Sequence, residues 1–260
     1  MRIINKMRIF TSLSSTPARQ KNLYSSIESI MENQPIKPYL TVLNICESYS
    51  RFPSQKIELN NIPKHMNLKI NVTNDLGPLT KIYGFLEYYE ENLSSDQEDI
   101  LIIHDDDFIY KNFLVESLTS PIKDGKADSV THFYGESLDM YQGNMNDISI
   151  RSNYVYPNLP GYLGISFKIN KNIVKDMKEY INWIIKEIPE SKYHDDAIIT
   201  SYLRTRNNKI LWLLKKNEDI VETREDLLFD KTSLSGRKGE IQFRHEISYK
   251  MIELLNKKQS

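Results

Sequence analysis

Three aspartates stand in a row, Asp105-Asp106-Asp107, directly behind His104 and the uninterrupted apolar run Ile100-Leu101-Ile102-Ile103. Consecutive carboxylates repel, and each raises the pKa of its neighbours unless a cation or hydrogen-bond donors compensate them. A divalent ion does that. On extended backbone, side chains two apart leave on the same side. Asp105 and Asp107 could therefore reach one Mg²⁺ or Mn²⁺ while a diphosphate supplies further oxygens. The other reading of the same residues is a solvated turn, with Asp107 capping a helix through 108–118.

Five more segments carry chemistry. In Asn74-Asp75-Leu76-Gly77-Pro78-Leu79-Thr80-Lys81 a helix start offers free N–H groups and a lysine one turn in, which suits a phosphate. Asp75 could accept a hydrogen bond from a ribose or base. Thr11-Ser12 through Arg19 lies where a first strand hands over to a first helix, a normal place for a nucleoside, although capping and a surface arginine also explain it. His194-Asp195-Asp196 opens a helix. Its acids either complement the helix dipole or supply a general base for an incoming hydroxyl. Gly161-Tyr162-Leu163-Gly164 could let the backbone approach a sugar closely, or mark a bulge. Ser235-Gly236-Arg237-Lys238-Gly239, with His245 beyond it, reads as a basic loop that could close over phosphates. Tyr134, Tyr141, Tyr154, Tyr156 and Tyr162 could stack on sugar rings.

Elements that would position these groups follow from periodicity. Residues 7–12 read as a strand, and Thr16-Pro17 as the cap and first turn of a helix with the stripe Leu23, Ile27, Ile30 and Met31. Strands follow at 39–45 and 67–73, then a helix from Pro78 carrying Leu79, Ile82, Tyr83 and Leu86. The run 100–103 suits a strand buried on both faces. Beyond it come strands at 129–134 and 162–169, a helix near 172–188 with Ile173, Met177, Ile181, Ile184 and Ile188, a helix over 195–206, and a strand at 209–214. Alternating strands and helices predict an α/β fold with an open, mostly parallel sheet flanked by helices. Ligands of such sheets sit beyond the carboxyl ends of the strands.

Composition bounds the alternatives. The chain has 260 residues, 27% charged and 40% hydrophobic, enough to bury a core without staples. One cysteine, Cys46, excludes an internal disulfide and every multi-cysteine zinc site. No run is long enough to span a membrane, so the expected compartment is the cytoplasm. The net charge is −1, yet residues 75–150 hold 16 acidic and four basic side chains. That concentration argues against nucleic acid as partner and for a site that gathers divalent cations. No repeat or composition break marks a second domain, so residues 1–260 are expected to form one unit, with a nucleotide-binding half to about 110 and an acceptor-binding half from about 111.

The ordered set Thr11-Ser12 with Arg19, Asp75-x-Gly77-Pro78-x-x-Lys81, Asp105-Asp106-Asp107-x-x-Tyr110, Gly161-x-x-Gly164 and His194-Asp195-Asp196 resembles nucleotide-sugar glycosyltransferases of the GT-A fold. It is most like small viral and bacterial members with a DDDxxY form of the DxD motif, over roughly residues 7–206. Leu76 stands where an aromatic residue is expected, and Lys111 where a proline often follows the tyrosine. The resemblance implies a GT-A-like fold and Mn²⁺ or Mg²⁺ on Asp105 and Asp107, with Asp106 beside the donor. It implies that Thr11, Ser12, Arg19 and Asp75 hold the nucleoside, that Lys81 faces the diphosphate, and that Gly161 and Gly164 line the donor. Gln242-Phe243-Arg244-His245 is loosely similar to C-terminal motifs in which His245 would bind the metal. A UDP-sugar donor and a glycan or other hydroxyl acceptor are implied, with Asp196, or Asp195 in its place, as base of an inverting reaction. Two rivals are a nucleotide-sugar or calcium-binding module without turnover, and a DxD-type phosphatase, against which Ile109 lacks the hydroxyl such a motif carries.

Overall fold

The computed structural model describes residues 7–62, 64–133, 159, 161–214, 219–223 and 240–259. In chain order the elements are β1 (Ile9–Ser14), α1 (Gln20–Met31), β2 (Leu40–Cys46), β3 (Leu68–Thr73), α2 (Thr80–Asn92), β4 (Asp99–Ile103), β5 (Phe108–Tyr110) and α3 (Leu114–Lys123). They continue with β6 (Ser129–Phe133), β7 (Ile165–Ile169), α4 (Lys171–Glu187), α5 (Asp195–Thr205), β8 (Ile210–Leu214), β9 (Val221–Thr223) and α6 (Glu240–Gln259). Seven strands form one sheet in the order β3-β2-β1-β4-β7-β6-β8. β1, β2, β3 and β4 run parallel, β7 is antiparallel to both its neighbours, and β8 is parallel to β6. The expected α/β architecture, an open and mostly parallel sheet flanked by helices, is the one observed.

Both faces of the central strands are covered, which is why β1 and β4 are buried almost throughout, polar residues such as Thr11 and Ser12 included. Phe10, Val42, Leu101 and Ile103 point to a core built with α2, α4, α5 and α6. Ile9, Ile100 and Ile102 point the other way, toward α3 and β5, while Leu13, Leu43 and Ile45 meet α1. Strand alternation thus assigns residues 10 and 12 of β1 to the α2 side, a placement the site depends on.

Several expectations shift in detail. The first helix opens as a 3₁₀ turn, Pro17–Arg19, and Thr16 makes no side-chain capping bond. α4 is capped by Asn170, whose side chain accepts from the N–H groups of Asn172 and Ile173, and its buried stripe uses Val174 where Ile173 was expected. Phe85 and Tyr89 join the buried face of α2, and Tyr83 is only half-buried. A helix through 108–118 does not form. Phe108 and Tyr110 are buried in β5, which pairs antiparallel with β9, and α3 begins only at Leu114. That partner strand lies a hundred residues away, out of reach of any local pattern. Tyr134, Tyr141, Tyr154, Tyr156 and the loop 235–239 lie outside the described residues. Among the described residues no helix is long and apolar enough to cross a membrane.

Candidate functional site

β1 and β4 pair in parallel, with Ser12 opposite Ile103, so both strands end on the same edge of the sheet. Past that edge, residues 104–107 bend toward β5, and the side-chain alternation of an extended strand does not extend to the aspartates. Asp105 is held by its backbone. Its N–H donates to the Tyr110 hydroxyl at 3.0 Å. Its carbonyl accepts from Tyr110 at 3.2 Å, Ser26 at 3.2 Å and His104 Nδ1 at 3.1 Å. His104 is fully buried, and burial lowers its pKa to about 4, so the ring is neutral at pH 7.

Two cations meet these acids. Lys81 lies in the first turn of α2, almost entirely buried, with its ammonium 2.5 Å from Asp105 Oδ1 and 2.7 Å from Asp195 Oδ2. Burial opposes its charge, but Asp105, Asp195 and Asp196 together hold it well above the usual lysine range. Arg19, from the turn before α1, pairs closely with Asp107 and reaches Asp106 at 3.4 Å. The three aspartates therefore divide between two partners. Burial pushes Asp105 up, but Lys81 holds it below the usual range, whereas burial raises Asp106. Burial, reinforced by Asp105 and Asp106 and opposed by Arg19, raises Asp107 to about 7.

Asp195 and Asp196 open α5, where the helix dipole favours acid. Asp196 Oδ1 accepts the Gly161 N–H at 3.0 Å. Burial, then the charge of Asp195, raises the Asp196 carboxyl to about 8 against the pull of Lys81 and Arg244. The segment leading into this pair is fixed to the segment leading into Lys81. Gly77 has φ +62°, a conformation that favours glycine, and a Cβ there would lie 3.1 Å from the ring of Tyr193. The turns before α2 and α5 thus pack closely together, and the Lys81–Asp195 ion pair joins the two helix starts.

Not every expected residue joins the cluster. Thr11 and Ser12 are fully buried: Thr11 donates to Thr41 at 2.8 Å, and Ser12 donates to the Lys81 carbonyl at 2.5 Å. Asn44 donates to Ser12 Oγ at 2.9 Å, so this buried network anchors the start of α2. Asp75 accepts from the N–H groups of Ser50 at 2.7 Å and Gly77 at 2.9 Å, which hold its carboxyl below the usual range despite burial. It stands apart from the five acids, although its charge and that of Asp106 both act on the Tyr49 hydroxyl. Gly164, at φ +83°, packs against Leu118 and faces no acid. His245 falls on α6, and its side chain is outside the described residues. Tyr110, Ser26 and Arg244 were not singled out for these roles. Only the spacing of Tyr110 from the aspartates pointed to one of them.

Among the described residues five carboxylates face Arg19 and Lys81, with Arg244 acting on Asp196 as well, a formal charge of −2. Asp107 Oδ1 is buried without a hydrogen-bond partner, and so is Asp106 Oδ2, with the Ser15 hydroxyl beside it but out of bonding geometry. Among the described residues no group of three or more His, Cys, Asp or Glu side chains is arranged to hold a metal. These features fit a small divalent cation that takes one or two protein carboxylates and completes its shell from a substrate's phosphates.

No family model matches the chain, and no curated protein matches its sequence. Among solved structures, 4-diphosphocytidyl-2C-methyl-D-erythritol synthase from Anaerococcus prevotii shares the fold, with TM-score 0.52 at 14% identity over 92% of this chain and 97% of that one. Looser superpositions are S. aureus TarS 1-349, TM-score 0.49 at 12% identity over 84% of this chain, and glucosyl-3-phosphoglycerate synthase from Mycobacterium tuberculosis in complex with phosphoglyceric acid. The latter has TM-score 0.48 at 14% identity over 92% of this chain and 80% of that one. The chain spans 60% of the TarS structure it matches.

Proposed function

We propose that this protein is a glycosyltransferase that moves a sugar from a nucleoside diphosphate sugar, a UDP-sugar in the first instance, to a hydroxyl acceptor such as a glycan. The observation that carries the reading is the uncompensated charge of five aspartates at the carboxyl ends of β1 and β4, the edge where open α/β sheets bind ligands. Asp105 and Asp107 would hold Mn²⁺ or Mg²⁺. When bound, the ion supplies Lewis-acid neutralisation of the departing diphosphate.

The chain's own residues divide the remaining work. Arg19 and Lys81 set the acids and add positive charge next to the leaving phosphates. Asp75, with the turn at Gly77, lies on the α2 side of the cluster, where a nucleoside would extend. Asp196 accepts the acceptor's proton, a role its raised pKa suits because the best base titrates near the working pH. Asp195 is less suited, since its Oδ2 is occupied by Lys81. A base acting opposite the leaving group gives inversion at the anomeric carbon.

The test is a panel of nucleotide sugars with and without Mn²⁺, read first as thermal shift and then as time-dependent release of nucleoside diphosphate. One nucleotide class should stabilise the protein, and its diphosphate should accumulate when acceptor is present. Stabilisation without release would describe a binding module. Pyrophosphate released from a nucleoside triphosphate would identify nucleotidyl transfer instead.

A further inference from the structure

We infer that Gly161 is a positioning residue for the base: its N–H fixes Oδ1 of Asp196, and its missing side chain leaves open the space between that carboxylate and the Lys81 ammonium. The role of Asp196 as base rests on the transferase reading, whereas the contact itself does not. The Gly161 N–H lies 3.0 Å from Asp196 Oδ1, and among the described residues it is the one hydrogen bond this carboxylate receives. A Cβ at Gly161 would stand 2.7 Å from Asp196 Oδ1 and 3.2 Å from Lys81 Nζ. Lys81 cannot readily withdraw, being tied to Asp105 and Asp195. The end of the Asp196 side chain is what must move.

The glycine is not required by its backbone. Gly77, Gly125 and Gly164 have positive φ, and Gly161 does not, so alanine there meets a steric neighbour without backbone strain. The absence of a side chain is thus matched to the acid across from it. The groups facing Asp196 are Asp195 on its own helix, Lys81 from α2, Asp105 from the β4–β5 turn and Arg244 from α6. All four lie on elements remote in sequence from Gly161, so a displaced carboxylate meets a different field.

The experiment compares wild type, Gly161→Ala and Gly125→Ala, the last being a backbone-strain control in open space, at φ +70°. Carbon-13 NMR of the Asp196 carboxyl, assigned by its loss in Asp196→Asn, needs no substrate. Its midpoint should move by about half a unit or more in Gly161→Ala and stay in place in Gly125→Ala. In the wild type the Gly161 amide nitrogen shift should follow the Asp196 titration and lose that dependence in Asp196→Asn. This second reading stands even if Gly161→Ala folds poorly. With an active donor, Gly161→Ala should lower kcat about ten- to hundredfold with donor KM within about twofold. An unmoved Asp196 midpoint, or a Gly161 amide indifferent to pH, overturns the inference. A shifted midpoint in a protein that transfers no sugar overturns the transferase reading and leaves the positioning intact.

Discussion

β1 and β4 lie side by side, and buried charge sits at both ends of the pair. At the amino end Asp99, fully buried, accepts the backbone N–H of Arg8 at 3.0 Å, its Nε at 3.1 Å and its Nη2 at 2.6 Å, and the Tyr89 hydroxyl at 3.2 Å. One acid meets one cation and its oxygens are satisfied. At the carboxyl end, among the described residues, five acids share Arg19, Lys81 and the pull of Arg244, and Asp106 Oδ2 and Asp107 Oδ1 are buried without a hydrogen bond. The two ends differ in burial, since Asp99 is sealed from solvent while the Asp105 side chain is 32% exposed and that of Asp107 16%. They differ in charge balance as well. A buried acid with its own counter-charge is part of the scaffold, and a surplus of buried acid marks where the molecule is completed by something else.

The contrast breaks most visibly if the surplus acids prove inert. Asp196→Asn should lower kcat by about 10²–10⁴-fold with donor Kd nearly unchanged, measured well below the melting temperature. Asp99→Asn should leave kcat where it is. Wild-type turnover in Asp196→Asn would remove that residue from the mechanism.

Stability should respond in the opposite sense. Asp99→Ala strips Arg8 and Tyr89 of their shared partner and should cost about 3 kcal/mol in denaturant unfolding, or about 6–12 °C in Tm for a chain of this size. A loss under about 1 kcal/mol would mean that the amino-end pair is no scaffold.

The smallest effect is the most specific. Asp196 titrates at about 8 in the folded protein and at about 4 in an unfolded chain. Between those values the folded state keeps a proton that the unfolded state has released, so this group's contribution to stability falls as pH rises through the window. The Tm of Asp196→Asn relative to wild type should therefore climb from pH 4 to pH 8. A difference that is flat with pH would show that Asp196 is not held in surplus charge.

Where local pattern sufficed, the sequence was a good guide. The runs at 39–45, 67–73 and 100–103 became β2, β3 and β4 within a residue or two; 100–103 is an apolar run buried on both faces, whereas β3 is a partly exposed edge strand. Asp105-Asp106-Asp107 was legible as a cluster because it follows that apolar run. Its partners were not. Lys81 was read as facing phosphate, and it bridges Asp105 to Asp195, where the turns before α2 and α5 pack together. The glycine at 161 was read as an approach for sugar, and its N–H binds an acid 35 residues on. Thr11 and Ser12 sit at a strand end that suits a nucleoside, but alternation turns them to opposite faces, where the Thr11 hydroxyl bonds Thr41 of the next strand and that of Ser12 bonds the Lys81 carbonyl of α2. A polar residue within an apolar parallel strand, Asn44, was the available hint of that inner network.

The central claim is that the surplus acid past β4 is a cation-dependent site for a nucleoside diphosphate. Isothermal titration of UDP into the full chain, in Mn²⁺ and in excess EDTA, tests it most directly, with Asp107→Asn and Asp99→Asn alongside. The account predicts UDP binding in Mn²⁺ that weakens by about tenfold or more in EDTA, an equal loss for Asp107→Asn in Mn²⁺, and no change for Asp99→Asn. The same affinity with and without the metal, or an Asp107→Asn variant that binds like wild type, would contradict it.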